Sequence, residues 1–112
     1  MNTLIEKDVF NILGFNPKSN EYQCFITDVS PAMAQHILDY YNRDNRKMSR
    51  SQVNKIHRSI ENDNWLLDGQ PMTFNKEGNL TEFQHRLAAI AKCPKDRSFK
   101  VVVVLGVDTE CF

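Results

Sequence analysis

The chain has 112 residues, 41% of them apolar and 25% charged, with 14 basic side chains against 14 acidic ones, the composition of one small globular domain. No run approaches the roughly 18 consecutive apolar residues of a membrane-spanning helix, and the start, MNTLIEKDVF, carries acids where a secretory leader has a basic and then an apolar stretch; a cytoplasmic protein with no membrane partner is expected. Cys24, Cys93 and Cys111 are odd in number and lack CxxC spacing, which argues against a disulfide framework or a zinc knuckle and for reduced, mostly buried thiols.

Thr3 and Glu6 have the spacing of a capping box, and Leu4, Ile5, Val9, Ile12 and Leu13 recur at helical intervals until Gly14 and Pro17, so a short N-terminal helix is expected. Residues 21–29, EYQCFITDV, alternate like a strand. Ser30-Pro31 supplies a cap and a first-turn proline for a helix over 31–42, with Met33, Ala34, Ile37, Leu38 and Tyr41 on its apolar face. A second helix over 50–62 starts from Ser49 as N-cap with Gln52 three residues on, and Met48 is placed to staple against Val53. Its apolar positions Val53, Ile56 and Ile60 leave Arg50, Lys55 and Arg58 toward solvent.

From Trp65 the pattern breaks into short apolar pieces, with strands expected at 65–67, 72–75 and 79–81 between the turn signals Asp68-Gly69, Pro71 and Lys76-Glu77-Gly78-Asn79. Thr81 and Gln84 repeat the capping-box spacing ahead of Leu87, Ile90 and Ala91, so Thr81 is expected to cap a helix that Cys93-Pro94 stops. The final SFKVVVVLGV lacks alternation, as does a strand covered on both faces. The order predicts a single α+β domain over 1–112 with a small mixed sheet flanked by helices.

Charge is uneven along the chain. Arg43, Arg46, Lys47, Arg50, Lys55 and Arg58 face only Asp44 within 43–58, so an anionic partner is drawn there. A second anion signal is Gly78-Asn79-Leu80-Thr81-Glu82-Phe83-Gln84-His85-Arg86. A strand turning into a helix that begins Gln-His-Arg puts polar and cationic side chains where the helix dipole already favours negative charge. His36, His57 and His85 have no two-ligand spacing on one helix face, and His85 and Cys93 stand about two turns apart, so no metal site is expected. Trp65 and Phe74 have the surface to stack a base, though aromatic residues in strands are mostly core.

The stretch from Ile26-Thr27 to Phe112 resembles the ParB N-terminal/sulfiredoxin-like superfamily, in particular its small phage and bacterial members. The resemblance is carried in order by Ser30-Pro31 through Leu38, Asn45-Arg46, Asn64-Trp65, Pro71-Met72-Thr73-Phe74 and the Gly78 to Ala89 string. It implies residues 21–112 as the family-like core, with 1–20 an added N-terminal helix. It further implies a nucleotide site for ATP or CTP with Mg²⁺, with Gln84, His85 and Arg86 as phosphate contacts and Asn45, Arg46 and Ser49 as additional ones. The reaction class implied is hydrolysis or transfer of the terminal phosphate in a phage or bacterial process on DNA, with Glu82 or Asp68 the carboxylates placed to hold the metal or accept a proton. Two departures stand out: Glu82-Phe83 replaces the family's Asp-Gly, and Gln84 stands where sulfiredoxins have their nucleophilic cysteine. An amide cannot attack as a thiolate does, so sulfiredoxin chemistry is not expected. The chain ends five residues after VVVVLGV, so the C-terminal parts of a full partition protein are not expected either.

Two other readings compete. The helices at 31–42 and 50–62 resemble a helix-turn-helix, which makes Arg46, Lys47, Arg50, Lys55 and Arg58 DNA contacts. Alternatively Glu82-Phe83 fills an ancestral pocket, and the domain is a protein-interaction module acting between phage and host.

Overall fold

The computed structural model describes residues 13–42, 47–62 and 70–108. Its elements are β1 (Gln23–Val29), α1 (Pro31–Tyr41), α2 (Arg50–Glu61), β2 (Met72–Asn75), β3 (Leu80–Glu82), α3 (Gln84–Ala91) and β4 (Phe99–Val107). This is an α+β arrangement, with a mixed sheet in the order β1-β4-β2-β3. β4 runs antiparallel to β1 and parallel to β2, and β3 is the antiparallel hairpin partner of β2. The 65–67 strand, the capping box at Thr3, and Asn45, Arg46, Trp65, Asp68 and Cys111 lie outside the described residues. No helix among the described residues is long and apolar enough to cross a membrane.

Local chemistry starts two of the helices as the sequence predicts. Ser30 stands in extended conformation and its side chain accepts from the Met33 N–H at 3.2 Å, with Pro31 in the first turn. Ser49 does the same for α2, accepting from the Gln52 N–H at 3.4 Å. The third start differs. Thr81 lies inside β3, its hydroxyl donates to the Thr73 carbonyl at 3.1 Å, and the cap position of α3 is Phe83, which offers no side-chain cap. Thr73 pairs with Glu82 but Phe74 with Leu80, so Thr81 is the extra residue of a bulge. A strand contact thereby takes the hydroxyl that the i, i+3 spacing assigned to a cap. The strand expected at 79–81 begins one residue later, because Asn79 closes the hairpin: its carbonyl accepts from the Asn75 N–H at 2.9 Å and its N–H donates to Asn75 Oδ1 at 3.1 Å.

Alternation along the strands sorts the sheet into two faces. Val29, Val101, Val103, Leu105, Met72, Phe74 and Leu80 point to the helices and form one cluster with Ala34 and Ile37 of α1, Val53 and Ile60 of α2, and Leu87 and Ile90 of α3. Both α1 and α2 pack on α3, which is therefore the hub of the helical layer. On the opposite face Val104 and Thr73 are buried, whereas Cys24, Ile26, Asp28 and Lys100 are exposed. The double-sided cover expected of β4 thus holds along most of the strand and fails at Lys100, which pairs with Asp28 across the edge at 3.5 Å.

Cys24 corrects the expectation of buried thiols, because its register position on β1 faces solvent. Cys93 is buried, its thiol is held above the usual range by that burial, and Sγ donates to the Ala89 carbonyl at 3.5 Å. The expected result with a thiol reagent on the native protein is prompt modification of Cys24 and reaction of Cys93 only on unfolding. Cys24→Ser should remove one fast equivalent; prompt labelling of Cys93 would contradict the packing at the end of α3.

Candidate functional site

The first turn of α3 is fastened on both sides by its own first two side chains. Gln84 is 95% buried by residue, with 5% exposure, and its Oε1 accepts from Asn42 Nδ2 at 3.2 Å, at the C-cap of α1. His85 Nε2 accepts from the Ser49 backbone N–H at 2.9 Å, at the N-cap of α2. The two ends of the basic connection between α1 and α2 are therefore held on one helical turn. Lys92 Nζ, at the other end of α3, donates to Asn54 Oδ1 of α2 at 3.2 Å, an exposed second link between the two helices.

The bond to His85 changes what Gln52 does. In a complete capping box the third residue reaches back to the N-cap amide; here His85 from another helix holds that amide, and the box is half formed. Gln52 is exposed instead and lines a cleft of about 510 Å³. That volume lies within the usual range for a small-molecule site, about 300–1,000 Å³.

The cleft walls come from the N-termini of α2 and α3 and the end of β3, with Lys47, Ser49, Gln70, Thr81, Glu82, Phe83, Gln84, His85 and Arg86 among the lining residues. Two helix N-termini present partial positive charge to one volume, and among the described residues that line it Lys47 and Arg86 are cationic and Glu82 is the carboxylate. The acceptor role of His85 Nε2 requires that this nitrogen carry no proton. Arg86 lies over the Phe83 ring at 5.6 Å from its centroid, a contact of about 0.5–1 kcal/mol at a partly exposed site.

Phe83 itself is the one non-glycine residue with positive φ among the described residues, at φ 98 and ψ 4. It is also buried, with 6% exposure. The phenylalanine thus takes the backbone conformation that favours glycine, and the following residue enters the helix directly. Successive left-handed and right-handed residues turn adjacent peptide N–H groups to one side, the geometry of an anion-binding nest.

Of the residues singled out from the sequence, Glu82, Gln84, His85, Arg86, Ser49 and Lys47 line this one cleft. Arg50, Lys55 and Arg58 are exposed on α2, away from its buried positions Val53 and Ile60. The helix-turn-helix geometry is not formed: α1 and α2 pack on α3 and approach each other little, with Asn42 at the end of α1 and Ser49 at the start of α2 each bonded to α3. Sequence reasoning missed the bond of Asn42 to Gln84 and the cleft-facing positions of Gln52 and Gln70; no local spacing marks them, since each depends on long-range packing. No family model, curated protein or solved structure matches the chain.

Proposed function

We propose that the chain is a nucleotide-binding domain that holds the phosphates of ATP or CTP in the cleft between the N-termini of α2 and α3. The observation that carries this reading is the convergence of two helix N-termini on one volume flanked by Lys47 and Arg86, an arrangement suited to a polyanion. The resemblance to the ParB/sulfiredoxin-like superfamily points to the same turn. Arg86 and Lys47 would supply the charge, and Ser49, Gln52 and Gln84 the uncharged polar contacts, with Asn45 and Arg46 the further candidates. Glu82 is the carboxylate on the cleft wall available to a nucleotide-borne Mg²⁺, and to a proton if the terminal phosphate is transferred.

A thermal-shift panel of ATP, CTP and GTP, with and without Mg²⁺, tests it. A ligand at 100 times its dissociation constant adds about 2.7 kcal/mol, which moves the midpoint of a domain this size by about 10 °C. The expected result is such a shift with one nucleotide, absent in Arg86→Ala, whose own midpoint without ligand stays within a few degrees of the parent. A panel without any shift would exclude the nucleotide reading and favour the protein-interaction module, in which Phe83 closes the turn. Duplex DNA that binds with a steep salt dependence, and less well to Arg50→Ala, would favour use of the exposed basic face of α2.

A further inference from the structure

We infer that β1 is a self-pairing edge: a second copy of this chain docks antiparallel along it, about a two-fold axis at Cys24, and joins the two sheets into one. The inference stands apart from the nucleotide reading, since β1 and β3 are opposite edges of the sheet and the cleft lies at the end of β3. Exposed strand edges are ordinarily blunted by shortness, bulges, proline or charge. The β3 edge follows that rule, with three residues, a bulge at Thr81 and Glu82 at its end. The β1 edge does not. It runs for seven residues, QCFITDV, in unbroken register with β4 from Gln23–Leu105 to Val29–Phe99, with no proline, glycine or lysine. Among the described residues no strand lies beyond it, so one row of its backbone N–H and C=O groups is left for another chain. Two large apolar side chains stand exposed on it or just before it, Ile26 at 57% and Tyr22 at 73%.

The occupant follows from what the strand presents. An antiparallel edge complements itself, and a two-fold axis perpendicular to the sheet sets each residue against one on the same face. With Cys24 opposite Cys24 of the second copy, Tyr22 lies opposite Ile26 and Gln23 opposite Phe25, each twice. The two exposed apolar side chains then cover each other, and the paired stretch 22–26 carries no charge. Centring the axis on Phe25 sets Tyr22 against Asp28; centring it on Ile26 sets Cys24 against Asp28 and Tyr22 against Ser30. Neither covers Tyr22 and Ile26 together. With the axis at Cys24, Asp28 stays beyond the paired stretch, where Lys100 of β4 stands 3.5 Å from it. Opposed Cα atoms in such a pair are about 4.5–5.5 Å apart, within the roughly 4.4–6.8 Å that a disulfide spans, so Cys24 reports the register. A contact of one strand pair is small, and association belongs to the weak, concentration-dependent class.

Sedimentation velocity of the full chain under reducing conditions, from low micromolar to millimolar concentration, tests it. The sedimenting mass should rise from 13.0 kDa toward twice that value. Cys24→Lys sets two ammonium groups face to face at the axis, where like charges repel, and should weaken association by about tenfold or more; Cys24→Glu should do the same. An equimolar mixture of the two variants sets Lys against Glu and should associate again. Cys24 is exposed, so each variant should keep the parent's urea midpoint at low concentration. Oxidation with diamide, which takes up the two thiol hydrogens as the disulfide forms, should link the concentrated parent but not Cys24→Ser, which keeps Cys93 and Cys111. A parent that stays at 13.0 kDa at every concentration would overturn the inference. Association that Cys24→Lys leaves unchanged would place the contact on another surface and overturn it as well. A mixture that associates no better than either variant alone would overturn the two-fold pairing at Cys24.

Discussion

Gly106→Ala should destabilise the protein by about 3 kcal/mol, the sum of an overpacked contact and a strained backbone. Gly106 has φ +74, and a Cβ built there meets the Glu21 carbonyl oxygen at 2.1 Å and its carbon at 2.6 Å. Neither neighbour is a side chain that can rotate away. Glu21 is held in turn by Ser19, whose hydroxyl donates to the Glu21 carbonyl at 2.9 Å and accepts from the Glu21 N–H at 3.2 Å. The segment entering β1 must therefore lift off β4, just beyond the Gln23–Leu105 pair. Gly14→Ala separates the two contributions, because Gly14 has φ +73 with nothing within 4 Å of the added carbon; it should cost about 1 kcal/mol. Urea unfolding of both variants, read as midpoint shifts at constant slope, decides the matter. Equal losses would mean that the close approach of Glu21 to Gly106 is not present in solution.

Where short-range chemistry chooses the structure, the sequence is readable. Ser30-Pro31 and Ser49 each carry their cap in the same few residues that they organise, and α1 and α2 begin where those signals stand. The valine run of β4 reads as a covered strand because Val101, Val103 and Leu105 pack on the helices and Val104 is buried on the other face. The start of α3 is the instructive failure. Thr81 and Gln84 satisfy the spacing of a capping box, but Thr81 also satisfies a bulge opposite Thr73, and only strand pairing distinguishes the two uses of one hydroxyl. Cys24 is a similar case, since which face of an edge strand meets solvent depends on what covers the sheet.

The cleft is legible in its members and hidden in its wiring. Basic residues at 43–58 and the Gln-His-Arg turn are visible as two separate anion signals; that Lys47 of the first shares a cleft with the second goes with bonds spanning 36 residues, from Ser49 to His85, and 42 residues, from Asn42 to Gln84. The same bonds explain why Gln52 is free of its expected capping role. They also explain why the helix-turn-helix does not form, although both of its helices do: with Asn42 and Ser49 each bonded to α3, the two helices pack on α3 and not on each other.

Phe83 yields the other large effect, and an inverted order of substitution. Phe83→Ala should cost about 3 kcal/mol, as expected for removing a buried aromatic ring, together with the contact that Arg86 makes to that ring. Phe83→Gly removes the same atoms, and in a helix or strand glycine would be worse than alanine by about 0.5–1 kcal/mol. Here the order should reverse, with Gly about 1 kcal/mol the more stable of the two, because alanine at φ 98 keeps the backbone strain that glycine does not feel. Chemical denaturation of the two variants measures the difference directly. An alanine variant more stable than the glycine one would show that the turn into α3 is not left-handed. The wild-type chain tolerates the strain because burial of the ring outweighs it, roughly 3 kcal/mol against 1. Strain held against such a margin, at the turn where the cleft meets the N-terminus of α3, fixes the direction of the adjacent peptide N–H groups. The ring also lines the cleft. In Phe83→Gly the backbone geometry is kept and the ring is removed, so under the proposed function this variant should still bind nucleotide while Arg86→Ala does not. That contrast separates the peptide turn, which the reading requires, from the phenylalanine that happens to hold it.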